Sequence, residues 1–107
     1  MNSFEQMEAV IAQRRAEPQE GSYTCYLFEK GIDKILKKVG EECAETIIAA
    51  KNGDKAELVG EINDVCYHMM VMMNECGVTM EDVCKEMDIR AQKIGNLKKF
   101  HVSDHNT

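Results

Sequence analysis

The sequence predicts an all-α fold. Three observations predict it: apolar residues recur at three- and four-residue spacings, helix formers dominate, and no stretch alternates apolar and polar residues for long. Pro18 is the only proline, so most helix ends must be written in Gly, Asn, Asp, Ser and Thr. At 107 residues the chain is one domain with a modest core.

The first helix is expected over residues 3–16, where Phe4, Met7, Val10 and Ile11 form an apolar stripe. Pro18 and Gly21 end it, and Ser22-Tyr23-Thr24 opens a short second segment, with Ser22 or Thr24 as N-cap. That segment stops near Gly31. A long helix follows over 32–52, with Ile32, Ile35, Leu36, Val39, Cys43, Ile47 and Ala50 on one face. Asn52-Gly53-Asp54 is a stop-and-turn signal. The second long helix covers 55–76 and carries the stripe Leu58, Val59, Ile62, Val65, Cys66, Met69, Met70, Met73 and Cys76. Between Tyr67 and Met73 it is apolar nearly all round, His68 excepted, and a helix of that kind must be covered on every side. A partner chain over 67–73 is the expected cover. Gly77 ends the helix, and Thr79 caps a last one, to about Ala91, with Asp82 in capping-box position. Residues 1–92 are thus the folded domain. The tail 93–107 reads as partly disordered, and His101 and His105 in it carry no assigned role.

Thirteen Lys and Arg against nineteen Asp and Glu leave a net charge of −6. That balance argues against nucleic acid as a partner, because phosphate contacts need clustered cations. No apolar run approaches a membrane span, and the first residues lack the basic start and apolar run of a signal peptide. Five cysteines are an odd number and none has Cys-x-x-Cys spacing. They read as reduced thiols packed as small hydrophobes in a cytoplasmic protein.

The chemistry is concentrated in carboxylates. The first long helix carries Glu41-Glu42-x-x-Glu45 and the second Glu61-x-x-Asp64. Residues three or four apart share a helix face, so Glu42 pairs with Glu45 and Glu61 with Asp64. In an antiparallel hairpin the two pairs meet near its middle. Four facing carboxylates repel unless divalent cations sit among them, and all-oxygen ligation suits Mg²⁺, or Mn²⁺ in its place. The plainer reading is a solvated acidic face paired with Lys34, Lys37 and Lys38. Glu42 and Glu61 each lie about a right angle from their apolar stripe, whereas a solvated face centres its acids opposite it. A di-iron bundle needs Glu-x-x-His twice, and Val65 stands three residues before His68. His68 reads as an exposed or partly satisfied helix histidine.

Glu41-Glu42-x-x-Glu45 with Glu61-x-x-Asp64 resembles the signature of the all-α nucleoside triphosphate pyrophosphatase (MazG-like) superfamily. Ser22-Tyr23-Thr24, Lys38-Val39-Gly40-Glu41-Glu42, Ala49-Ala50-Lys51-Asn52 and Asp64-Val65-Cys66-Tyr67-His68 are similar to the phosphoribosyl-ATP pyrophosphatase family, over roughly residues 4–92. The resemblance implies Mg²⁺-dependent hydrolysis of phosphoribosyl-ATP to phosphoribosyl-AMP and pyrophosphate, early in histidine biosynthesis, by a homodimer. It implies Glu42, Glu45, Glu61 and Asp64 as metal ligands, Glu41 as the water-activating or supporting carboxylate, and Lys37 and Lys38 as phosphate-binding groups. Asn63 departs from the family's small residue and is expected to alter packing near the metals. The chain is too short to add the cyclohydrolase domain that some organisms fuse to this one. Two rivals stand beside this reading: a house-cleaning pyrophosphatase of noncanonical nucleoside triphosphates, and a non-catalytic helical dimerisation module.

Overall fold

A computed structural model describes residues 1–93, which form five helices and, among these residues, no strand. They are α1 (Ser3–Ala16), α2 (Tyr23–Lys30), α3 (Ile32–Asn52), α4 (Lys55–Glu75) and α5 (Met80–Gln92). The expected boundaries hold to within a residue. The tail beyond Lys93, with His101 and His105, lies outside the described residues.

Local chemistry explains each end. Asn2 caps α1 by accepting from the Glu5 amide, and Ser22, not Thr24, caps α2 by accepting from the Cys25 amide. A single residue, Gly31, joins α2 to α3 with φ 90° and ψ −173°, a backbone region essentially closed to residues with a Cβ. Gly53 takes the left-handed conformation at the end of α3, and Asp54 then caps α4 by accepting from the Ala56 and Glu57 amides. Thr79 and Asp82 form the reciprocal capping box of α5.

The α3–α4 hairpin is the backbone of the fold, and α1 and α2 lie against one end of it. There Ile11, Leu27, Ile35, Met70 and Val71 meet, one or two residues from each of four helices. Met7, Phe28, Tyr67, Met72, Met73 and Met80 pack around them. Arg15 fastens α1 to the end of α4, with Nη2 2.7 Å from Glu75 Oε1 and Nη1 donating to Asn74 Oδ1 at 2.9 Å, while its guanidinium lies over Phe28. The helix α5 buries no residue and is tied to α1 where the Met80 amide donates to Glu8 Oε2 at 2.7 Å.

This arrangement corrects the expectation for Met70 and Val71 within residues 67–73. Val71 is fully buried and Met70 nearly so within the single chain, because α1 and α2 cover the face that α3 leaves open. Of that stretch only Met69 stays exposed. Further uncovered apolar side chains of the hairpin include Leu36, Ile47, Ile48, Val59 and Ile62. All five cysteines are free, but Cys76 and Cys84 are exposed rather than packed.

Candidate active site

The hairpin brings α3 and α4 together at the acidic residues. Thr46 fixes the level at which they meet: its hydroxyl donates to the Glu42 carbonyl at 2.8 Å and lies 3.2 Å from the Glu61 carbonyl on the facing helix. At that level Glu42, Glu45 and Glu61 each offer a carboxylate oxygen, and the three oxygens lie within 4.8 Å of one another. Two carboxylates that close repel by roughly 3 kcal/mol at an effective dielectric of about 20.

Glu42 is buried and Glu61 half-buried, and Glu42 Oε2 and Glu61 Oε2 are both sealed from solvent with no hydrogen-bond partner among the described residues. Leaving a charged acceptor unpaired is costly, so such oxygens mark a place where something else binds. One counter-charge is in place. The Lys38 ammonium lies 3.4 Å from Glu42 Oε1 and 3.6 Å from Glu41 Oε2. Three carboxylates against one ammonium leave a local surplus of two negative charges. A divalent cation that prefers oxygen donors fits both the surplus charge and the two orphaned oxygens.

The other candidates are placed differently. Asp64 is exposed and stands outside the three-carboxylate group. Glu41 is exposed and faces both lysines, with Lys37 at 4.0 Å pointing into solvent. Asn63 is exposed, and its amide donates to the Val59 carbonyl at 2.9 Å.

Several side chains at the site escape the reading of spacing alone. His68 is only 5% exposed, with Nδ1 2.8 Å from the Asp64 carbonyl and Nε2 2.9 Å from the Tyr23 hydroxyl. It is therefore a buried, fully partnered histidine, not an exposed one. Thr24 shares a hydrogen bond with the Tyr67 hydroxyl. Burial pushes the Tyr23 pKa up; Lys38 pulls the other way, and Tyr67 and Glu42 add to the rise. Burial also raises that of Tyr67, against the Thr24 hydrogen bond. For Lys38, burial disfavours the ammonium, but the Tyr23 oxygen, Glu42 and Glu41 outweigh it and hold its pKa above the usual lysine value. The signal for these contacts was present in Ser22-Tyr23-Thr24 and Tyr67-His68, but nothing in their spacing pairs the two strings.

Residues 4–91 match the family model described as phosphoribosyl-ATP pyrophosphohydrolase. The chain belongs to this family. It is 54% identical over 95 residues to the phosphoribosyl-ATP pyrophosphatase of Clostridium novyi, covering 89% of this chain and 86% of that one. The phosphoribosyl-ATP pyrophosphatase of Clostridium acetobutylicum is 56% identical over 90 residues, covering 84% and 82%. A histidine biosynthesis bifunctional protein of Lactococcus lactis is 52% identical over 98 residues. That match covers 92% of this chain but only 46% of the relative. All the carboxylates and lysines named above fall inside the stretch that defines the phosphoribosyl-ATP pyrophosphohydrolase family.

Proposed function

We propose that this chain hydrolyses phosphoribosyl-ATP to phosphoribosyl-AMP and pyrophosphate in a Mg²⁺-dependent reaction, the second step of histidine biosynthesis. One observation carries the reading: in a member of the phosphoribosyl-ATP pyrophosphohydrolase family, three carboxylates converge with two of their buried oxygens left unpaired. Glu42, Glu45 and Glu61 would hold the ion, and Asp64, one turn beyond Glu61, is the fourth carboxylate assigned to it. When bound, Mg²⁺ neutralises phosphate charge and activates water. The rest falls to the protein's own groups. Lys38 meets a phosphate oxygen while paired to Glu42, and Lys37 adds positive charge at the rim. Glu41, exposed beside two lysines, accepts the proton of the attacking water. No nucleophilic side chain is required.

The enzyme works as a homodimer in this reading. The argument rests on the apolar side chains that the single chain leaves open, among them Ile47, 66% exposed, with Ile48, Val59 and Ile62. No described helix is long and apolar enough to cross a membrane. The cytoplasm, which keeps thiols reduced, suits five free cysteines.

Pyrophosphate release from phosphoribosyl-ATP, with and without Mg²⁺, tests the activity. Release that needs the metal and is absent with ATP, dUTP or dCTP is the expected result. Comparable turnover of those three nucleotides would favour a house-cleaning pyrophosphatase, and no turnover at all would overturn the assignment.

A further inference from the structure

The chain is acidic overall, yet four of its thirteen basic residues, Lys30, Lys34, Lys37 and Lys38, fall within residues 30–38, where α2 meets α3. They divide into two pairs. Lys37 and Lys38 are engaged by Glu41 and Glu42. Lys30 and Lys34 pair with no carboxylate among the described residues. Both ammonium groups instead lie over the Tyr26 ring, with Nζ 5.8 Å and 5.9 Å from its centre. One aromatic ring thus gathers two cations, one from the end of α2 and one from the first turn of α3, although like charges repel. Two cations brought together with no carboxylate between them suit a doubly charged anion, and a phosphate monoester is one near neutral pH.

Spacing along α3 sets where this pair stands relative to the carboxylates. Lys34, Lys38, Glu42 and Glu45 follow one another at four, four and three residues, so they share one face of the helix. Two helical turns separate Lys34 from Glu42, about 12 Å along the axis. Aromatic contacts run alongside. The Tyr26 ring stacks on Tyr23 at 6.0 Å between centres, Tyr23 meets His68 edge-on at 5.7 Å, and His68 Nδ1 lies 2.8 Å from the Asp64 carbonyl. Tyr23 and Tyr26 are 44% and 39% exposed, so each leaves ring surface open to a planar base. Phosphoribosyl-ATP has the matching outline. It carries a triphosphate on one ribose and a phosphate monoester on a second ribose across the purine, so a base flanked by two sugars separates two charged ends. We propose that Lys30 and Lys34, gathered by Tyr26, bind the phosphate of the second ribose while the triphosphate lies at the carboxylates. This contact separates phosphoribosyl-ATP from ordinary nucleoside triphosphates, which have one charged end only. The inference rests on the hydrolase reading above and adds to it the residues that set substrate choice.

Substrate and fragment affinities test it. The double variant Lys30→Ala/Lys34→Ala should raise KM for phosphoribosyl-ATP about tenfold with kcat and Tm little changed, because a contact remote from the reacting phosphorus holds ground and transition states alike. Phosphoribosyl-AMP keeps the second phosphate, so its inhibition constant should rise by a similar factor. ATP lacks that phosphate, so inhibition by ATP should be the same in the variant and the unmodified protein. Tyr26→Leu should raise KM as the lysine variant does, and Tyr26→Phe, which keeps the ring, should restore most of the affinity. Lys85→Ala removes an exposed positive charge on α5 and should leave KM unchanged. An unaltered KM in the double lysine variant would overturn the proposal. So would an equal weakening of ATP, which would assign the lysines to the triphosphate, or an equal rise in KM for Lys85→Ala, which would assign the effect to net charge. In each of these cases the unmodified protein still turns over phosphoribosyl-ATP and the hydrolase reading stands. Absence of turnover by the unmodified protein would instead bring down that reading and this inference with it.

Discussion

The two halves of α4 are built on opposite terms. From Lys55 to Asp64 no residue is buried, Val59 and Ile62 face outward, and Glu61 points into the seam with α3. From Val65 to Glu75, His68, Met70 and Val71 are buried under α1 and α2, and Arg15 pins the end. The first half brings Glu61, with one of the two unpaired oxygens, against the carboxylates of α3, and the second supplies the packing that holds the helix in place. A cluster of carboxylates is destabilising in the absence of its ion, so it sits beside a well-packed segment and not within one. The same division leaves Val59 and Ile62 open on the first half and, of 67–73, only Met69 exposed on the second.

The sharpest break of this contrast is to remove charge from the carboxylate cluster that the open half shares with α3. Glu42→Gln or Glu61→Gln should cut kcat at least about 100-fold while leaving the metal-free Tm unchanged or higher, since repulsion is relieved. Steady-state pyrophosphate release and thermal melts check both arms, and near-normal kcat in both variants would remove these carboxylates from the chemistry. Asp64→Asn sharpens the point: a loss as large as that of Glu61→Gln would join Asp64 to the ion despite its exposed position.

Adding charge to the packed half should act on stability. Val71→Glu puts an unpaired carboxylate among Ile11, Leu27, Ile35 and Met70, at a cost of about 3–5 kcal/mol, visible as an early urea midpoint. Ile62→Glu, on the open half, should leave the urea midpoint of the chain nearly unchanged but shift sedimentation from dimer to monomer. A unimolecular collapse in Ile62→Glu, or a merely dissociated Val71→Glu, would reverse the assignment of the two halves.

A smaller effect separates the two roles available to Lys38. If it were only a surface ion pair, Lys38→Ala would cost under about 1 kcal/mol of stability and leave kinetics alone. The phosphate role predicts an unchanged melt and a lowered kcat/KM, more so at low salt. Measurements at two salt concentrations distinguish them.

The smallest effect lies in α5, which stands apart from both halves. Thr79→Ala should cost about 1 kcal/mol through loss of the cap. The hydrogen bonds from Thr79 hold the Asp82 carboxyl below its ordinary range. Its folded pKa lies under its unfolded one, so the stability it adds is present above about pH 4 and is lost as pH falls through the lower, folded value. Circular dichroism during acid titration should show that loss, and Asp82→Asn should remove its pH dependence.

Helix ends were legible because their causes are local: Ser22 before α2, Gly53-Asp54 between the long helices, Thr79 with Asp82. The acidic spacing was legible for the same reason, since residues three or four apart share a face whatever the helix packs against. His68 was misjudged because its burial depends on α2, which lies far away in sequence. Met70 and Val71 are covered by the chain itself and not by a partner, because an apolar surround shows that a helix must be covered, not what covers it.

The sequence by itself determined the five helices, their caps and the two acidic pairs, all consequences of 3.6 residues per turn and of side chains bonding their own backbone. Only the tertiary structure decided which members of those pairs meet. Three residues along a helix leave side chains about 60° apart, so the rotation set by packing can turn Glu61 into the seam and leave the shorter Asp64 outside it. The same packing brought Tyr23 onto His68 and left Glu42 Oε2 and Glu61 Oε2 without a partner. Periodicity fixes angles about one axis, whereas the rotation of one helix against another is fixed by the side chains between them.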